Sequence, residues 1–376
     1  MNRRLLLLTR SLDPGGSERQ IVTLARALRR RDRAVEVAVF YPGGLLEDEL
    51  RDAGVPLHHL DKKGRRDVAG FLLRLVRLVR ATRPAVLHAY LPTANLAAIL
   101  LKPIFPGLRI VWGVRASDMD LGRYDAATRW SYRAERRAAR YADLIIANAH
   151  AGRDHAVANG FPADRTVVVP NGIDTERFRP DPAARRRVRA EWGIGETDIL
   201  IGLAGRIDPM KGHRVFVEAA ARLASEFAAA RFVCVGGGAA SAATELQALA
   251  ERSGLGERLL WVPTRTDMAG VYSAFDIACS TSIFGEGFSN VVAEAMACAR
   301  VCVATDVGDT SRIVGNAGFV TAPQDAATLA GALRSALALE PAERRALGEA
   351  ARTRIAGEFG CEALATRTLE AIEALP

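Results

Sequence analysis

The sequence predicts an α/β protein built from two doubly wound parallel sheets. Two observations lead to this prediction. Short runs of Val, Ile and Leu alternate with longer helical patterns, and this rhythm occurs once in each half of the chain. Strands of a parallel sheet read as continuous apolar runs because helices cover both of its faces. The chain has 376 residues, enough for about two to three domains of ordinary size.

The strands are predicted where four to six apolar residues follow one another, and the helices where apolar residues recur every three or four positions. Predicted strands of the first half are Leu5–Leu8, Val35–Phe40, Val86–Ala89, Ile110–Val114, Leu144–Ala147 and Val167–Val169. Those of the second half are Leu200–Ala204, Arg231–Val235, Leu259–Val262, Ile277–Cys279, Val301–Ala304 and Gly318–Val320. Predicted helices are Ser17–Arg31, Val68–Thr82, Ala126–Arg140, Arg214–Glu226, Ala242–Arg252, Asn290–Cys298 and Ala326–Ala336.

The domain boundary is expected near Pro170–Pro182, where Pro, Asn and Gly interrupt the pattern. We therefore predict a first domain over 1–175, a second over 176–360 and a terminal helix within 361–376. The segment Arg179–Arg189 is read as a short helix or a linker. Ligands of doubly wound sheets bind beyond the carboxyl ends of the strands. With two such domains, we expect the ligand in the cleft between them.

Composition indicates a soluble protein of the cytoplasm. Apolar residues make up 49% and charged residues 25% of the chain, and no apolar run reaches the roughly 18 residues that span a bilayer. The apolar stretch Leu5–Leu8 is too short for a signal peptide. The five cysteines show no zinc-type spacing, so we read them as reduced core thiols and predict no metal site.

Charge is distributed unevenly along the chain. Residues 1–170 carry 29 Lys and Arg against 17 Asp and Glu, a net charge of +12, whereas residues 171–376 carry a net charge of −4. The basic half is consistent with simple solubility, with an anionic membrane or lipid substrate, or with nucleic acid. Aromatic residues make up only 6% and no RNA-binding aromatic signature occurs, so nucleic acid is the least favoured partner.

One basic segment has amphipathic helical spacing. Arg65, Arg66, Arg74, Arg77 and Arg80 accompany the apolar residues of 71–79. Such a helix is typical of a membrane-surface element, but a core-packed helix with a solvated basic face gives the same pattern. The membrane interpretation predicts a lipid-linked acceptor at a membrane surface.

In each half of the chain, a glycine-containing turn follows the first predicted strand. Asp13–Ser17 precedes a helix, and Ser17 with Gln20 has the spacing of a capping box. In Gly205–Gly212, Arg206 and Lys211 flank a turn and together can clamp a diphosphate. An ordinary turn and a solvated pair of cations are the plain alternatives. The pattern of a P-loop is absent from Gly205–Gly212.

The most informative segment is Phe284–Asn290, which leads into a helix. Glu286 lies between two glycines of this loop. Glu294 lies about 7–8 Å along the axis of the following helix, measured from the start of that helix. Carboxylates at this spacing can hold two separate polyhydroxylated parts of one ligand, while the amides at the helix start can bind a phosphate. A capped surface helix is the alternative.

Together these motifs resemble the retaining GT-B glycosyltransferases of family four, the glycosyl transferases group 1. The resemblance runs nearly end to end, with the motifs in the family's order. It rests on Gly15–Arg19, Trp112–Arg115 continuing to Asp118–Asp120, Pro170–Asp174, Gly205–Gly212, the pair Glu286 and Glu294, and Val307–Gly315. It implies two Rossmann-like domains facing across a cleft and a final helix that packs back on the first domain.

The resemblance also implies roles for the site residues. Glu286 corresponds to the residue that contacts the transferred sugar, and Arg206 and Lys211 to the residues that clamp the diphosphate. The donor-binding positions it implies are Gly16, Gly205, Arg265, Phe288, Ser289, Asn290, Val291 and Glu294. The family commonly has a His where this chain has Arg115, so Arg115 and Asp118 are assigned to the sugar or acceptor. His88, at the end of a strand, is assigned there too, with packing as the alternative.

The predicted function follows from this resemblance. It is transfer of a hexose from a UDP- or GDP-sugar to a saccharide or lipid-linked saccharide, with retention and without metal or cofactor. We expect a role in cell-surface polysaccharide or glycolipid synthesis at the cytoplasmic face of a membrane. A nucleotide-sugar epimerase of the same architecture and a non-catalytic saccharide- or membrane-binding scaffold are the alternatives.

Overall fold

The chain divides into two compact units. In the computed structural model, which describes residues 4–115 and 126–375, unit 1 comprises Met1–Gly172 with Cys361–Pro376, and unit 2 comprises Ile173–Gly360. Among the described residues, no helix is both long enough and apolar enough to cross a bilayer.

Unit 1 is built on a parallel sheet whose central strands are apolar on both faces. Its strands are β1 Leu5–Thr9, β2 Val35–Val39, β3 Leu57–His59, β4 Val86–Tyr90, β5 Arg109–Val114, β6 Leu144–Ala147 and β7 Thr166–Val168. Its helices before residue 172 are α1 Gly16–Arg30, α2 Glu47–Asp52, α3 Ala69–Thr82, α4 Leu91–Ile99, α5 Ala126–Ala138 and α6 His150–Ala158. Within the described residues the strand order is β3-β2-β1-β4-β5-β6-β7.

Unit 2, all of which is described, repeats this architecture. Its strands are β8 Ile199–Ala204, β9 Ala230–Val235, β10 Leu259–Val262, β11 Ile277–Ser280, β12 Val301–Thr305 and β13 Gly318–Thr321. Its helices are α7 Pro182–Glu191, α8 His213–Ala224, α9 Ala240–Arg252, α10 Met268–Ala274, α11 Asn290–Ala297, α12 Thr310–Val314, α13 Ala326–Leu337 and α14 Pro341–Glu358. The parallel strands follow the order β10-β9-β8-β11-β12-β13.

The last helix belongs to unit 1. Helix α15, Cys361–Glu373, packs along α1, and its Leu364 and Ile372 are buried in the same core as β1 and β2. Arg31 Nε donates a hydrogen bond of 2.7 Å to Glu362 Oε2 beside this contact. The C-terminal residues therefore complete the core of the first unit.

The apolar side of α3 is also a core element. Phe71, Leu75 and Val79 are buried together with residues of β1 and β4, while Arg77 and Arg80 face solvent. The core-packed interpretation of this basic amphipathic segment is therefore the one the structure shows. Phe71, Leu75 and Val79 are already covered by their own unit and are not available for insertion into lipid, whereas Leu73 is exposed.

The predicted α/β class with two parallel sheets is confirmed, and every predicted strand occurs with its ends shifted by at most one residue. The elements that were not predicted are the short edge strand β3 and the helices α2, α4, α6, α10, α12 and α14. Residues Leu57–His59 contain two histidines and lack an apolar run. Helix α14 is mostly polar, and its buried residues are Gly348, Ala351 and Ile355.

Candidate active site

The predicted donor-site residues Lys211 and Glu286 lie beyond the carboxyl ends of the two central strands of unit 2. Strands β8 and β11 are neighbours although they are far apart in sequence, so the strand order reverses between them. Such a reversal leaves a crevice at the carboxyl edge of the sheet, where ligands of doubly wound proteins bind. The loop after β8 carries Lys211 and the loop after β11 carries Glu286.

Lys211 and Glu286 form an ion pair in this crevice. Lys211 Nζ donates to Glu286 Oε1, and Ser282 Oγ donates to the same oxygen at 2.8 Å. The lysine side chain is 19% exposed and the glutamate side chain 11%. A partly desolvated ammonium and carboxylate interact more strongly than they would in water, so the pair is held in one arrangement. Ser282 was not predicted from the sequence, because a serine after a strand carries no distinctive signal.

Backbone contacts join the two loops that carry this pair. Ile283 N–H donates to Met210 C=O at 2.8 Å, and Thr281 Oγ1 donates to Lys211 C=O at 2.7 Å. Gly212 has a φ of +63°, and a Cβ at this position would overlap with the Thr281 carbonyl oxygen. The close approach of the loops therefore requires glycine at position 212.

A third loop, which follows β12, supports the backbone of Glu286. Gly308 has a φ of +66°, and a Cβ there would overlap with the carbonyl oxygens of Glu286 and Gly287. The amide of Asp309 donates to the Gly287 carbonyl at 2.9 Å. The segment Val307–Asp309 was noted in the sequence only as part of the family resemblance, and its structural role is this support.

The second predicted glutamate is held by a buried tyrosine. Tyr272 Oη donates to Glu294 Oε2 at 3.1 Å. Burial, and then the neighbouring Glu294 carboxylate, raise the pKa of Tyr272 well above its ordinary value, so the phenol stays protonated and continues to donate. Glu286 and Glu294 thus have separate partners. Tyr272 was not predicted, because its pairing with Glu294 arises only from tertiary packing.

The segment 288–291 offers backbone groups at the start of α11. Phe288 is buried with its ring centroid 5.4 Å from that of Phe359. Ser289 is the N-terminal capping residue but makes no side-chain capping bond, and Asn290 and Val291 form the first turn of the helix. The first amides of a helix have no partners within it. This segment therefore suits an anion through its backbone.

Arg206 is not part of the Lys211–Glu286 pair in this structure. Its side chain is 76% exposed, and its guanidinium lies 3.9 Å from the Asp208 carboxylate. The preceding residue, Gly205, is packed tightly, because a Cβ on Gly236 would overlap with the Gly205 carbonyl. The role of Arg206 in binding a diphosphate stays a prediction.

Arg265 belongs to a local ion cluster. Its guanidinium donates to both carboxylate oxygens of Asp267, at 2.8 and 2.9 Å, and also pairs with Glu191. These hydrogen bonds raise the pKa of Arg265 and lower the pKa of Asp267 to about 2. The structure shows the Arg265 side chain holding its loop in place, and its predicted contact with a donor stays a prediction.

The predicted capping box at the start of α1 is wrong. Gly15 is the capping residue, without a side-chain bond. Gln20 is instead buried, and its amide group binds Gly172 by donating to the C=O at 3.0 Å and accepting from the N–H at 2.8 Å. A long-range backbone contact of this kind cannot be read from local spacing. Gly16 opens α1, and its assignment to a donor phosphate stays a prediction.

Arg115 and His88 meet at one aromatic ring of unit 1. The Arg115 guanidinium lies 4.1 Å above the ring centroid of Tyr90 and donates to Asn171 Oδ1 at 3.2 Å. The His88 ring is fully buried 4.6 Å from the same tyrosine. Burial, and then Arg115, lower the pKa of His88. His88 is thus packed inside unit 1, its assignment to the sugar or acceptor stays a prediction, and Asp118 lies outside the described residues.

A cavity of about 240 Å³ lies next to Arg115, between α5 and α6. Val114 and Phe161 give it apolar walls, and Arg115, Arg133 and Arg136 line it with guanidinium groups. It provides a place in unit 1 for a small ligand that carries negative charge.

Glu135 forms a buried polar part of this cavity. It is only 4% exposed, and Asn95 Nδ2 donates to its Oε1 at 2.6 Å. Burial raises the pKa of Glu135 to about 7, against the opposing effect of the Asn95 hydrogen bond. No sequence pattern singled out this carboxyl, because a lone Glu in an arginine-rich helix reads as a surface residue.

We expect Glu135 to make the protein less stable as pH rises from about 5 to about 8. An acid with a folded pKa of about 7 and an ordinary value of 4.5 binds more protons in the folded state between these pH values, so stability falls across that interval and is constant above it. Denaturant unfolding at several pH values measures the slope. Glu135→Gln, which is neutral throughout, should lack this contribution. Equal slopes for both proteins would show that Glu135 does not titrate in this range.

Across residues 4–115 and 126–375, no group of His, Cys, Asp and Glu side chains is arranged to hold a metal ion. All five cysteines are free thiols. Burial raises the pKa of Cys298 to about 12, and it also raises the pKa values of Cys234, Cys279 and Cys302. These four thiols are therefore unreactive core residues.

Comparison with known families agrees with this geometry. The family named Glycosyltransferase Family 4 matches residues 14–177, and the family named Glycosyl transferases group 1 matches residues 198–338. The two matches cover most of unit 1 and most of unit 2 respectively. The chain belongs to glycosyltransferase family four. The loops with Lys211, Glu286 and Gly308 all lie within the second match.

The curated relatives match only part of this chain. The D-inositol 3-phosphate glycosyltransferase of Geodermatophilus obscurus is 34% identical over 248 residues, which are 62% of this chain and 52% of that protein. The protein of the same name from Nocardia farcinica is 34% identical over 206 residues, which are 52% of this chain and 45% of that protein. The chain thus spans about half the length of the curated relatives it matches.

Solved structures establish the fold as GT-B, with two Rossmann-like domains. Anabaena HepE in complex with UDP superposes with a TM-score of 0.85, covering 99% of this chain and 100% of that one, at 22% identity. HepE has also been solved in complex with UDP-glucose. At this identity the likeness supports the architecture alone.

Proposed function

We propose that this protein transfers a hexose from a nucleoside diphosphate sugar to an acceptor hydroxyl, with retention of anomeric configuration. The observation that carries the proposal is the Lys211–Glu286 pair in the crevice of unit 2. The pair brings an ammonium and a carboxylate together, and we assign the carboxylate to the sugar of the donor. Family membership and the UDP and UDP-glucose complexes of HepE support a donor of this class.

The chemistry explains why such a pair is useful. Negative charge develops on the diphosphate as the glycosidic bond breaks. In this proposal, Lys211, Arg206 and the first amides of α11 stabilise that charge. Glu286 accepts hydrogen bonds from the hydroxyls of the sugar, and Glu294, held by Tyr272, does so from the ribose. In this proposal, protein groups supply the positive charge and the reaction needs no metal.

The acceptor is proposed to bind unit 1. The net charge of +12 in residues 1–170 and the guanidinium groups around the cavity favour an acceptor with an anionic group. The names of the curated relatives specify a phosphorylated cyclitol, which has this property. A lipid-linked saccharide at the cytoplasmic face of a membrane also carries an anionic group. We propose such a saccharide as the acceptor, in the synthesis of cell-surface polysaccharide or glycolipid.

Thermal shift measurements test the donor part of the proposal. In EDTA, UDP or GDP should raise the melting temperature, whereas CMP, which lacks the second phosphate, should have a smaller effect. A ligand at a hundred times its Kd stabilises a protein by about 2.7 kcal/mol. The shift should be smaller for Lys211→Ala. If no nucleoside diphosphate changes the melting temperature, the transferase proposal loses its support.

Product analysis separates this proposal from the two alternatives. A transferase releases the nucleoside diphosphate and adds mass to the acceptor. An epimerase that changes the sugar on an intact donor releases no nucleoside diphosphate. A scaffold binds the donor and leaves it unchanged. The Lys211–Glu286 pair favours the transferase over the scaffold, because a cation beside the diphosphate stabilises the additional negative charge that develops as the bond to it breaks.

A further inference from the structure

Helix α5 of unit 1 has two distinct faces. Tyr132, Glu135 and Arg136 line the cavity described above. The opposite face, together with the turn that follows the helix, forms a shallow depression on the surface, and Arg133 lies between the two faces and lines both. That depression contains Trp130, Arg133, Ala134, Arg137, Ala138, Arg140 and Tyr141, which we call the α5 surface.

The α5 surface combines large exposed aromatic residues with arginines. Trp130 is 67% exposed and Tyr141 is 52% exposed. The Arg140 guanidinium lies 4.8 Å above the ring of Tyr141. The one acidic residue of α5, Glu135, is buried on the cavity side. The exposed face is therefore both apolar and strongly basic.

A neighbouring turn extends this surface. Lys102 Nζ donates to the Tyr141 carbonyl at 2.9 Å, which places the turn after α4 beside the end of α5. Leu100 and Ile104 of this turn are exposed apolar residues. Among the described residues, every large hydrophobic side chain that is mainly exposed belongs to unit 1. Exposed apolar surface is thus concentrated in the basic part of the chain.

We propose that the α5 surface docks on an anionic phospholipid bilayer. Trp and Tyr favour the interface between headgroups and acyl chains, and arginines on the same helix face are attracted by anionic lipids. The charge of the surface complements such a bilayer. The inference rests on the proposed membrane-borne acceptor and specifies which surface meets the membrane. We prefer the α5 surface to α3, because the one aromatic residue of that helix, Phe71, is buried and Leu73 is its exposed large hydrophobic residue.

Vesicle binding by the full-length protein tests this inference. We would compare vesicles of phosphatidylcholine alone with vesicles that contain about 30% phosphatidylglycerol, at low and high salt. Native protein should bind only the anionic vesicles, and salt should weaken binding. Arg137→Glu with Arg140→Glu should weaken binding at least roughly tenfold. Trp130→Ala should remove the blue shift of tryptophan fluorescence that accompanies binding.

The matched control reverses two exposed arginines near and within α3. Arg66→Glu with Arg77→Glu changes the net charge by the same amount as the α5 variant, and its binding should stay within about twofold of native. Equal weakening by both variants would show that only net charge matters and would overturn the inference. Weakening by the α3 variant alone would assign the membrane contact to α3 and would also overturn the inference.

Two further measurements make the outcome specific. The α5 variant should keep the native thermal shift with UDP, which shows that it is folded. If sedimentation velocity shows a native dimer that the α5 variant breaks, the surface binds a second copy and the membrane assignment is wrong. Native protein that responds to UDP but binds no vesicles would overturn this inference alone. Vesicle binding through α5 without any nucleotide response would overturn the transferase proposal alone.

Discussion

Replacing Lys211 by alanine is expected to lower kcat/KM for the donor by about 10- to 150-fold while the protein stays folded. A charge-assisted hydrogen bond contributes about 1.5–3 kcal/mol, and this energy corresponds to that range of rates if it acts mainly in the transition state. Lys211 is positioned by backbone contacts of its loop, such as that of Met210 with Ile283. These contacts do not involve the lysine side chain, so the loop should persist without it.

The loss has two physical sources. The ammonium that would stabilise the leaving diphosphate is removed, and the Glu286 carboxylate loses its ion-pair partner. The first effect lowers kcat, because the charge develops as the bond breaks. The second raises KM if Glu286 no longer holds the sugar in place. Steady-state release of the nucleoside diphosphate, measured over a range of donor concentrations, separates the two contributions.

Arg214→Ala is the matched control for this experiment. Arg214 lies three residues further along, its side chain is 52% exposed, and it pairs with Glu245 on the surface. An exposed ion pair of this kind contributes little, so kcat/KM should be unchanged. Native kinetics in Lys211→Ala would remove Lys211 from the active site. Equal losses in both variants would point to a general effect of positive charge in this segment.

The fold could be predicted because its determinants are local. Strands such as β1 and β8 are continuous apolar runs, and parallel sheets require that composition in their central strands. Strand β3 has only three residues, none of them buried, so it lacks an apolar run. Helix α14 buries small residues such as Gly348 and Ala351, and these give little hydrophobic periodicity. Short elements, and long helices that bury small residues, are therefore the ones that sequence patterns miss.

The candidate site could be predicted only in part. Glycines next to charged residues indicated which loops carry Lys211 and Glu286, since such loops after buried strands let the backbone approach a ligand closely. Ser282, which binds Glu286 within the same loop, and Tyr272, which binds Glu294 from another helix, have no sequence signal of their own. The membrane hypothesis shows the same limit. The pattern of α3 gives its amphipathic character but not which of its faces the core already covers.

Gly308→Ala is expected to lower kcat/KM on the order of a hundredfold, although residue 308 contributes no side chain to the site. Its φ of +66° costs an L-residue roughly 1–2 kcal/mol. The added Cβ would also overlap with the carbonyls of Glu286 and Gly287. Backbone cannot yield as a flexible side chain can, so the Glu286 loop must move. A displacement of about 1 Å at a catalytic group can cost on the order of a hundredfold in rate.

Gly254→Ala separates this displacement from backbone strain. Gly254 also lies in unit 2 and has a φ of +73°, but a Cβ added there would meet no other atom within 4 Å. The backbone strain in this variant should lower its free energy of unfolding by a similar amount, about 1–2 kcal/mol. Its kcat/KM should stay native. Melting temperatures report the strain in both proteins, and donor kinetics report the displacement only in Gly308→Ala. If both variants lose activity equally, general destabilisation explains the effect and the support of Glu286 by the Gly308 loop is not needed for catalysis.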